Sequence, residues 1–113
     1  MTPAQACYCY ILKCSDGTFY TGWTTDPERR IKRHNAGQAS RYTRSRRPVR
    51  LVFLEPQTDR LGAMRRERVI KNMTRARKSR LIKELKQANA NLKRKRLSAQ
   101  GKRGSAARGK LNQ

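Results

Sequence analysis

Acidic side chains are scarce: the 113 residues hold 7 of them against 29 lysines and arginines, a formal charge of +22. Such an excess repels itself unless a polyanion neutralises part of it, so nucleic acid is the leading partner. Long apolar runs are also missing. Charge interrupts every stretch, and none reaches the roughly 18 apolar residues that could span a bilayer, so no membrane association is expected. At the N-terminus polarity returns at Lys13 before an apolar stretch is established. No signal peptide is therefore expected, and a cytoplasmic, nucleoid-associated protein is. Cysteine is limited to Cys7, Cys9 and Cys14, an odd number in one apolar stretch. That is a poor start for a disulfide framework, and reduced core thiols are expected. Zinc would need a fourth ligand, for which only His34 is available outside the carboxylates, and strand alternation points Cys14 away from the face shared by Cys7 and Cys9. No internal repeat and no base-reading motif is present.

Tyr8 to Cys14 reads as a strand rich in aromatic and aliphatic residues, Ser15-Asp16-Gly17 as a turn, and Thr18 to about Trp23 as a second strand, together a hairpin. Thr25-Asp26-Pro27-Glu28 supplies a capping side chain, an early proline and an acidic first turn. A helix is expected from there to about Asn35, stopping near Gly37. Gln38 to Arg47 is polar and basic without an apolar period, and Pro48 opens a third strand from Val49 to Leu54, ending at Pro56. Asp59 can cap a helix from about Arg60 to Met73. Thr74 can cap another that carries Leu81, Ile82 and Leu85 on one side. The predicted order is β-β-α-β-α-α, an α+β domain over residues 1–88. Residues 89–113 carry eight lysines and arginines and no acid. They cannot repay their ordering entropy by burial, so a disordered basic tail is expected.

Arg30 and His34 lie four residues apart on the first predicted helix, so both leave one face, with Arg33 on that side too. The bland reading is a solvated basic face. Tyr10 and Tyr20 stand on the paired strands just before it, where tyrosines ordinarily serve as packing. Glu67 interrupts a mostly basic helix, with Ala63, Met64 and Ile70 at neighbouring positions. It could pair with Lys71 at i+4, worth a few tenths of a kcal/mol. Alternatively, a carboxylate inside a basic groove could hold magnesium, because near a phosphate it is repulsive unless a cation lies between them.

These residues together resemble the GIY-YIG nuclease-domain family, and most closely its small stand-alone bacterial members (UPF0213-like). Tyr8-Cys9-Tyr10 stands where the family has its first tripeptide and Tyr20-Thr21-Gly22 where it has the second, at the usual strand-turn-strand spacing. Glu28-Arg29-Arg30-Ile31-Lys32-Arg33-His34-Asn35 is similar to its arginine-histidine helix, and Glu67 matches its metal-binding glutamate. The likeness runs from about Tyr8 to Leu85. Tyr8 replaces the first glycine, Thr21 the second motif's isoleucine, and the slot where several nuclease members carry asparagine falls near Ser79.

The resemblance implies a small three-stranded antiparallel sheet flanked by helices, and an endonuclease hydrolysing phosphodiester bonds with one divalent ion, in DNA repair or recombination. It gives Tyr10 the part of general base, which needs cationic neighbours or a partner such as His34 to act near neutral pH. Arg30 would clamp the scissile phosphate, Tyr20 would orient phosphate or water, and Glu67 would hold Mg²⁺, with Mn²⁺ as a substitute. Gly22 would let backbone approach the nucleic acid closely. Further phosphate contacts are expected from Arg33, Arg41, Arg44, Arg46 and Arg47, and from Lys93, Arg94, Lys95 and Arg96 of the tail. DNA is the expected partner, with RNA a second one. The rival reading is a non-catalytic nucleic-acid-binding protein on the same scaffold, since binding needs only the charge. A small basic RNA- or ribosome-associated protein would rest on composition alone and leaves the placement of Glu67 without a reason.

Overall fold

The computed structural model describes residues 6–104, with side chains through residue 96. The chain divides into two compact units, one ending at Ser79 and one starting at Arg80.

In the first unit, β1 (Cys7–Lys13), β2 (Phe19–Thr24) and β3 (Arg50–Gln57) form one antiparallel sheet in the order β2-β1-β3. The β1–β2 turn follows from its sequence. Asp16 Oδ1 accepts from the Thr18 backbone N–H at 3.1 Å and from its hydroxyl at 2.6 Å, while Gly17 takes a φ of 86° that a side chain would resist. Pro56, the expected end of the strand, lies inside β3. That is tolerated because β3 is an edge strand, where a proline can be accommodated.

As the central strand, β1 is buried on both faces, and alternation divides its residues between two layers. Cys9 looks toward the helix α3 (Arg60–Lys71), where its thiol donates to the Ala63 carbonyl at 3.1 Å. Burial, with Glu55 and Glu67 adding to it, pushes that thiol up to about 11, so it is an inert packing group. Tyr10, Leu12 and Cys14 face the other way and form a core cluster with Val49, against which Tyr20, Ile31, Tyr42 and Leu54 pack.

Two helices cover that second face. Helix α1 (Pro27–Asn35) is capped by Asp26, whose carboxylate accepts from the Arg29 N–H at 3.2 Å, and it ends before Gly37 at a φ of 77°. Asn35 fastens its end to the sheet: its amide donates to the Val49 carbonyl at 3.0 Å and accepts from the Val49 N–H at 2.7 Å. The second helix, α2 (Arg41–Arg44), is one turn long and falls within the segment that shows no apolar period in the sequence. Ser40 caps it by accepting from the Thr43 N–H at 3.1 Å. On the other face, Asp59 caps α3 through the Gly62 N–H at 2.7 Å.

Helix α4 spans Arg75–Gly104, its start marked by a bond from the Arg77 N–H to the Thr74 hydroxyl at 3.2 Å. In the second unit Leu81 and Leu85 are half-buried and Ile82 is buried, the apolar side expected from spacing. The helix runs past Ala88, into the first part of the expected tail, and continues to Gly104. Alanine, leucine, lysine, arginine and glutamine are all good helix formers, and a nucleated helix propagates without burying anything. Residues 89–96 are indeed all exposed. The rest of the expected tail, 105–113, lies outside the described residues.

Candidate active site

Three secondary-structure elements bring one hydrogen-bonded chain together beneath α1. Tyr10 of β1 meets His34 of α1 with its hydroxyl 2.9 Å from Nε2, and His34 Nδ1 lies 2.8 Å from the Thr43 hydroxyl of α2. The Thr43 hydroxyl in turn reaches the Ser40 carbonyl at 3.4 Å. The same hydroxyl lies 3.2 Å from the Ser40 hydroxyl, so its single proton has three acceptors within reach. When Thr43 donates to Ser40, His34 Nδ1–H donates to Thr43 and Nε2 accepts from the Tyr10 phenol; when Thr43 donates to Nδ1, Nε2–H donates to the phenol oxygen. All three side chains are buried, with exposures of 2% for Tyr10, 1% for His34 and 0% for Thr43.

Electrostatics keep the ring neutral in either arrangement. Burial, reinforced by the Arg30 charge, lowers His34 to about 4, so the ring is neutral at physiological pH and free to accept. Burial pushes the Tyr10 phenol well above its ordinary value, and Tyr20 and Glu67 add to the push. Only Arg30 pulls against it, by charge and by hydrogen bonding. Arg30 itself is exposed. It lines a cleft of about 360 Å³ with Arg29, Arg33, Thr24 and Thr25. A cation open to solvent thus sits against a buried phenol-imidazole pair.

Aromatic stacking holds the other side. The Tyr20 ring lies edge-on to His34 at 5.0 Å and stacks on Tyr42 at 6.1 Å, and the Arg46 guanidinium lies 3.9 Å over Tyr42.

Gly22 faces Tyr10 directly across the β1–β2 ladder. A Cβ at Gly22 would stand 2.5 Å from the Tyr10 hydroxyl oxygen and 2.7 Å from its Cζ. The space left by the missing side chain is filled by that ring rather than by approaching nucleic acid, so the glycine acts as a socket.

Glu67 is half-buried on α3, with one carboxylate oxygen 3.8 Å from Lys71 Nζ. It is near enough to Tyr10 and Cys9 to disfavour ionisation of both. Among the described residues no three His, Cys, Asp or Glu side chains come together. An ion here would rest on a single carboxylate, water and substrate oxygens, which suits Mg²⁺ and its reluctance to shed water.

Of the other expected phosphate contacts, Arg33, Arg41 and Arg44 are exposed. Arg46 is half-buried and tied into the fold, and Arg47, also exposed, is hydrogen-bonded to backbone. Arg46 pairs with Asp16 at 3.1 Å and donates to the Tyr42 carbonyl at 2.9 Å. Arg47 donates to the carbonyls of Arg44 at 2.8 Å and Asn35 at 3.3 Å. Lys93, Arg94, Lys95 and Arg96 are exposed on α4. Four consecutive helical residues point in different directions, so they form a collar of charge rather than one stripe. Thr43, Ser40 and Tyr42 escape the sequence reading, and the one available signal is a serine three residues before a threonine, as in a helix cap.

A phenol, an imidazole and an arginine are thus gathered against one sheet face, with a carboxylate near enough to act on the phenol. The chain belongs to the GIY-YIG catalytic-domain family, whose pattern it matches over residues 6–83. Among its relatives are proteins named UPF0213: one from Syntrophus aciditrophicus is 53% identical over 68% of this chain and 90% of its own, and one from Haloquadratum walsbyi is 51% identical over 68% and 86%. A solution structure of a protein from E. faecalis superposes with a TM-score of 0.51 at 38% identity, covering 75% of this chain and 91% of that one. Membership of a nuclease-domain family makes a nuclease-like activity and DNA binding the general expectation. Among the described residues, no helix is long and apolar enough to cross a membrane.

Proposed function

We propose that this chain is an endonuclease that hydrolyses phosphodiester bonds in DNA with one divalent ion, Mg²⁺ or Mn²⁺, held by Glu67. The observation that carries the reading is the buried Tyr10–His34–Thr43 chain lying against the exposed Arg30. Simple phosphate binding gives no reason to bury a neutral imidazole hydrogen-bonded at both ring nitrogens.

Arg30 grips the scissile phosphate through its planar fork. Bound phosphate offsets the arginine's field, which relieves part of the push that keeps His34 unprotonated. Water then attacks phosphorus. Its proton passes to the Tyr10 oxygen as the phenol's own proton passes to His34 Nε2, and the bond to the leaving oxygen breaks. Tyr20, wedged between His34 and Tyr42, orients phosphate or water at the mouth of the site. The divalent ion, when bound, neutralises charge on the phosphoryl and leaving oxygens. DNA repair or recombination, in the cytoplasm at the nucleoid, is the setting that fits such chemistry, and the exposed cations also suit RNA.

One observation favours a non-catalytic nucleic-acid-binding protein: Glu67 already has an ion-pair partner in Lys71. The two readings separate on Glu67→Gln. Labelled duplex, flap and junction DNAs are incubated with Mg²⁺, Mn²⁺ or EDTA, beside metal-free affinity measurements. Metal-dependent cutting by wild type, abolished in Glu67→Gln with binding retained, supports the nuclease. A wild type that cuts none of the three substrates with either metal selects the binding protein.

A further inference from the structure

The arginine cleft described above has a neighbour that nothing so far uses. A second cleft, about 330 Å³, is lined by Trp23, Thr24, Thr25, Arg30 and Arg60. Thr24, Thr25 and Arg30 line both, so the two adjoin at the proposed phosphate clamp. They differ in chemistry: the first is lined by Arg29, Arg30 and Arg33, and the second contains an indole.

Trp23 is half-buried at the end of β2, and the Arg60 guanidinium stands 5.9 Å from its ring centroid. That is the outer limit of a cation–π contact, so the pair is not closed on itself. An indole beside two arginines has the chemistry of a nucleotide site, with a flat apolar face for a base and cations for the phosphates on either side of it. A base inside a duplex is stacked and paired and cannot turn its face to a recessed indole.

We propose that this cleft receives an unpaired nucleobase, stacked on Trp23, from the nucleotide next to the phosphate held by Arg30. The inference rests on the reading of Arg30 as the phosphate clamp. The chain then prefers single-stranded, flapped or frayed nucleic acid over a fully paired duplex, and Trp23 sets that preference.

Trp23 is the only tryptophan in the sequence, so its emission reports on this one position. The full-length protein is titrated without metal with an oligothymidylate, an oligouridylate and a paired duplex of equal length. Binding is followed by anisotropy of a labelled strand and, separately, by tryptophan fluorescence. Either single strand should quench Trp23 with the same saturation as the anisotropy, and the duplex should quench it far less. Trp23→Leu should weaken single-strand binding by about tenfold, the scale of one lost base stack, and duplex binding by much less. Trp23→Phe should restore most of the loss, which guards against a folding defect in the leucine variant.

Anisotropy that saturates while wild-type emission stays constant overturns the proposal, as does an equal loss for single strand and duplex. Cleavage of the same strands with Mg²⁺ is scored apart from binding. A strand that quenches Trp23 yet is never cut removes the nuclease reading and leaves the base site standing. A strand that is cut with unchanged emission does the reverse.

Discussion

Tyr10 and His34, 24 residues apart in sequence, share a 2.9 Å hydrogen bond inside the core, and the histidine's other nitrogen is held by Thr43 at 2.8 Å. Because its hydroxyl holds Nδ1, Thr43 acts on the proposed reaction by positioning the ring, without touching substrate. Thr43→Val should leave DNA affinity and KM near wild type and lower kcat by about 10- to 100-fold, since the ring can then flip or change tautomer. Leaving Nδ1 unpaired should also cost about 1–3 kcal/mol of stability. Thr43→Ser, which keeps the hydroxyl, should restore both. A valine variant with wild-type kcat would remove Thr43 from the mechanism.

The depressed His34 gives the acid stability a definite sign. Its ordinary value of 6.5 falls to about 4 in the fold, chiefly through burial and then through Arg30. Below about pH 6.5 the unfolded chain therefore takes a proton that the folded chain refuses. The contribution is complete above that pH and is lost as pH falls toward 4, amounting to about 3 kcal/mol at most. Tyr10 supplies the opposite arm: its phenol is raised, so its share is present below about pH 10 and lost above. Melting curves between pH 7 and about 4 should fall more steeply for wild type than for His34→Gln. Parallel curves would show that His34 titrates normally.

Arg46 should separate from its neighbours by the kind of defect it causes. Held by Asp16, the Tyr42 carbonyl and the Tyr42 ring, it contributes to the Tyr20–Tyr42 stack more than to a phosphate. Arg46→Ala should lower Tm by several degrees and leave the slope of log affinity against log salt unchanged. Arg44→Ala, at an exposed position, should reduce that slope by about one phosphate contact while Tm holds. The assignment fails if the two variants exchange these behaviours.

Thr21 stands where the family has isoleucine, and its hydroxyl is buried without a hydrogen-bond partner. Replacing it with the isosteric Val removes an unsatisfied polar atom and leaves the shape alone. Thr21→Val should stabilise by about 1 kcal/mol, read as a higher midpoint in urea with an unchanged m-value. A loss of stability would mean that the hydroxyl is satisfied in solution, for instance by water.

The strands, the capped helices and the residues of the two tripeptides are legible in the sequence because each rests on local chemistry: alternation around Tyr10, the Asp16-Gly17 turn, the Asp59 and Thr74 caps. What escapes is set by contacts distant in sequence or by length. Four residues of α2 are too few to show a period, so Tyr42 and Thr43 look like part of a basic loop. The partner of Arg46 lies 30 residues away at Asp16, and nothing near Arg46 announces it. Pro56 reads as a strand end until the sheet order makes β3 an edge.

Gly22 is legible as a motif residue, but its reason is visible only across the ladder, and the two explanations for it make opposite predictions. If the glycine opens the backbone to nucleic acid, Gly22→Ala should weaken DNA binding while leaving the fold undisturbed. In the structure, a Cβ at that position stands 2.5 Å from the Tyr10 hydroxyl oxygen and 2.7 Å from its Cζ, distances at which the ring must move. The ring is buried and bonded to His34, so moving it means overpacking the core and breaking the 2.9 Å contact. Gly22→Ala should therefore destabilise by about 1–3 kcal/mol and abolish cleavage while metal-free DNA affinity holds. Tyr10→Phe keeps the ring, including the Cζ that the new methyl meets, so adding it to Gly22→Ala should recover only part of the lost stability. Lost affinity at wild-type Tm would refute the socket and return Gly22 to the nucleic-acid surface.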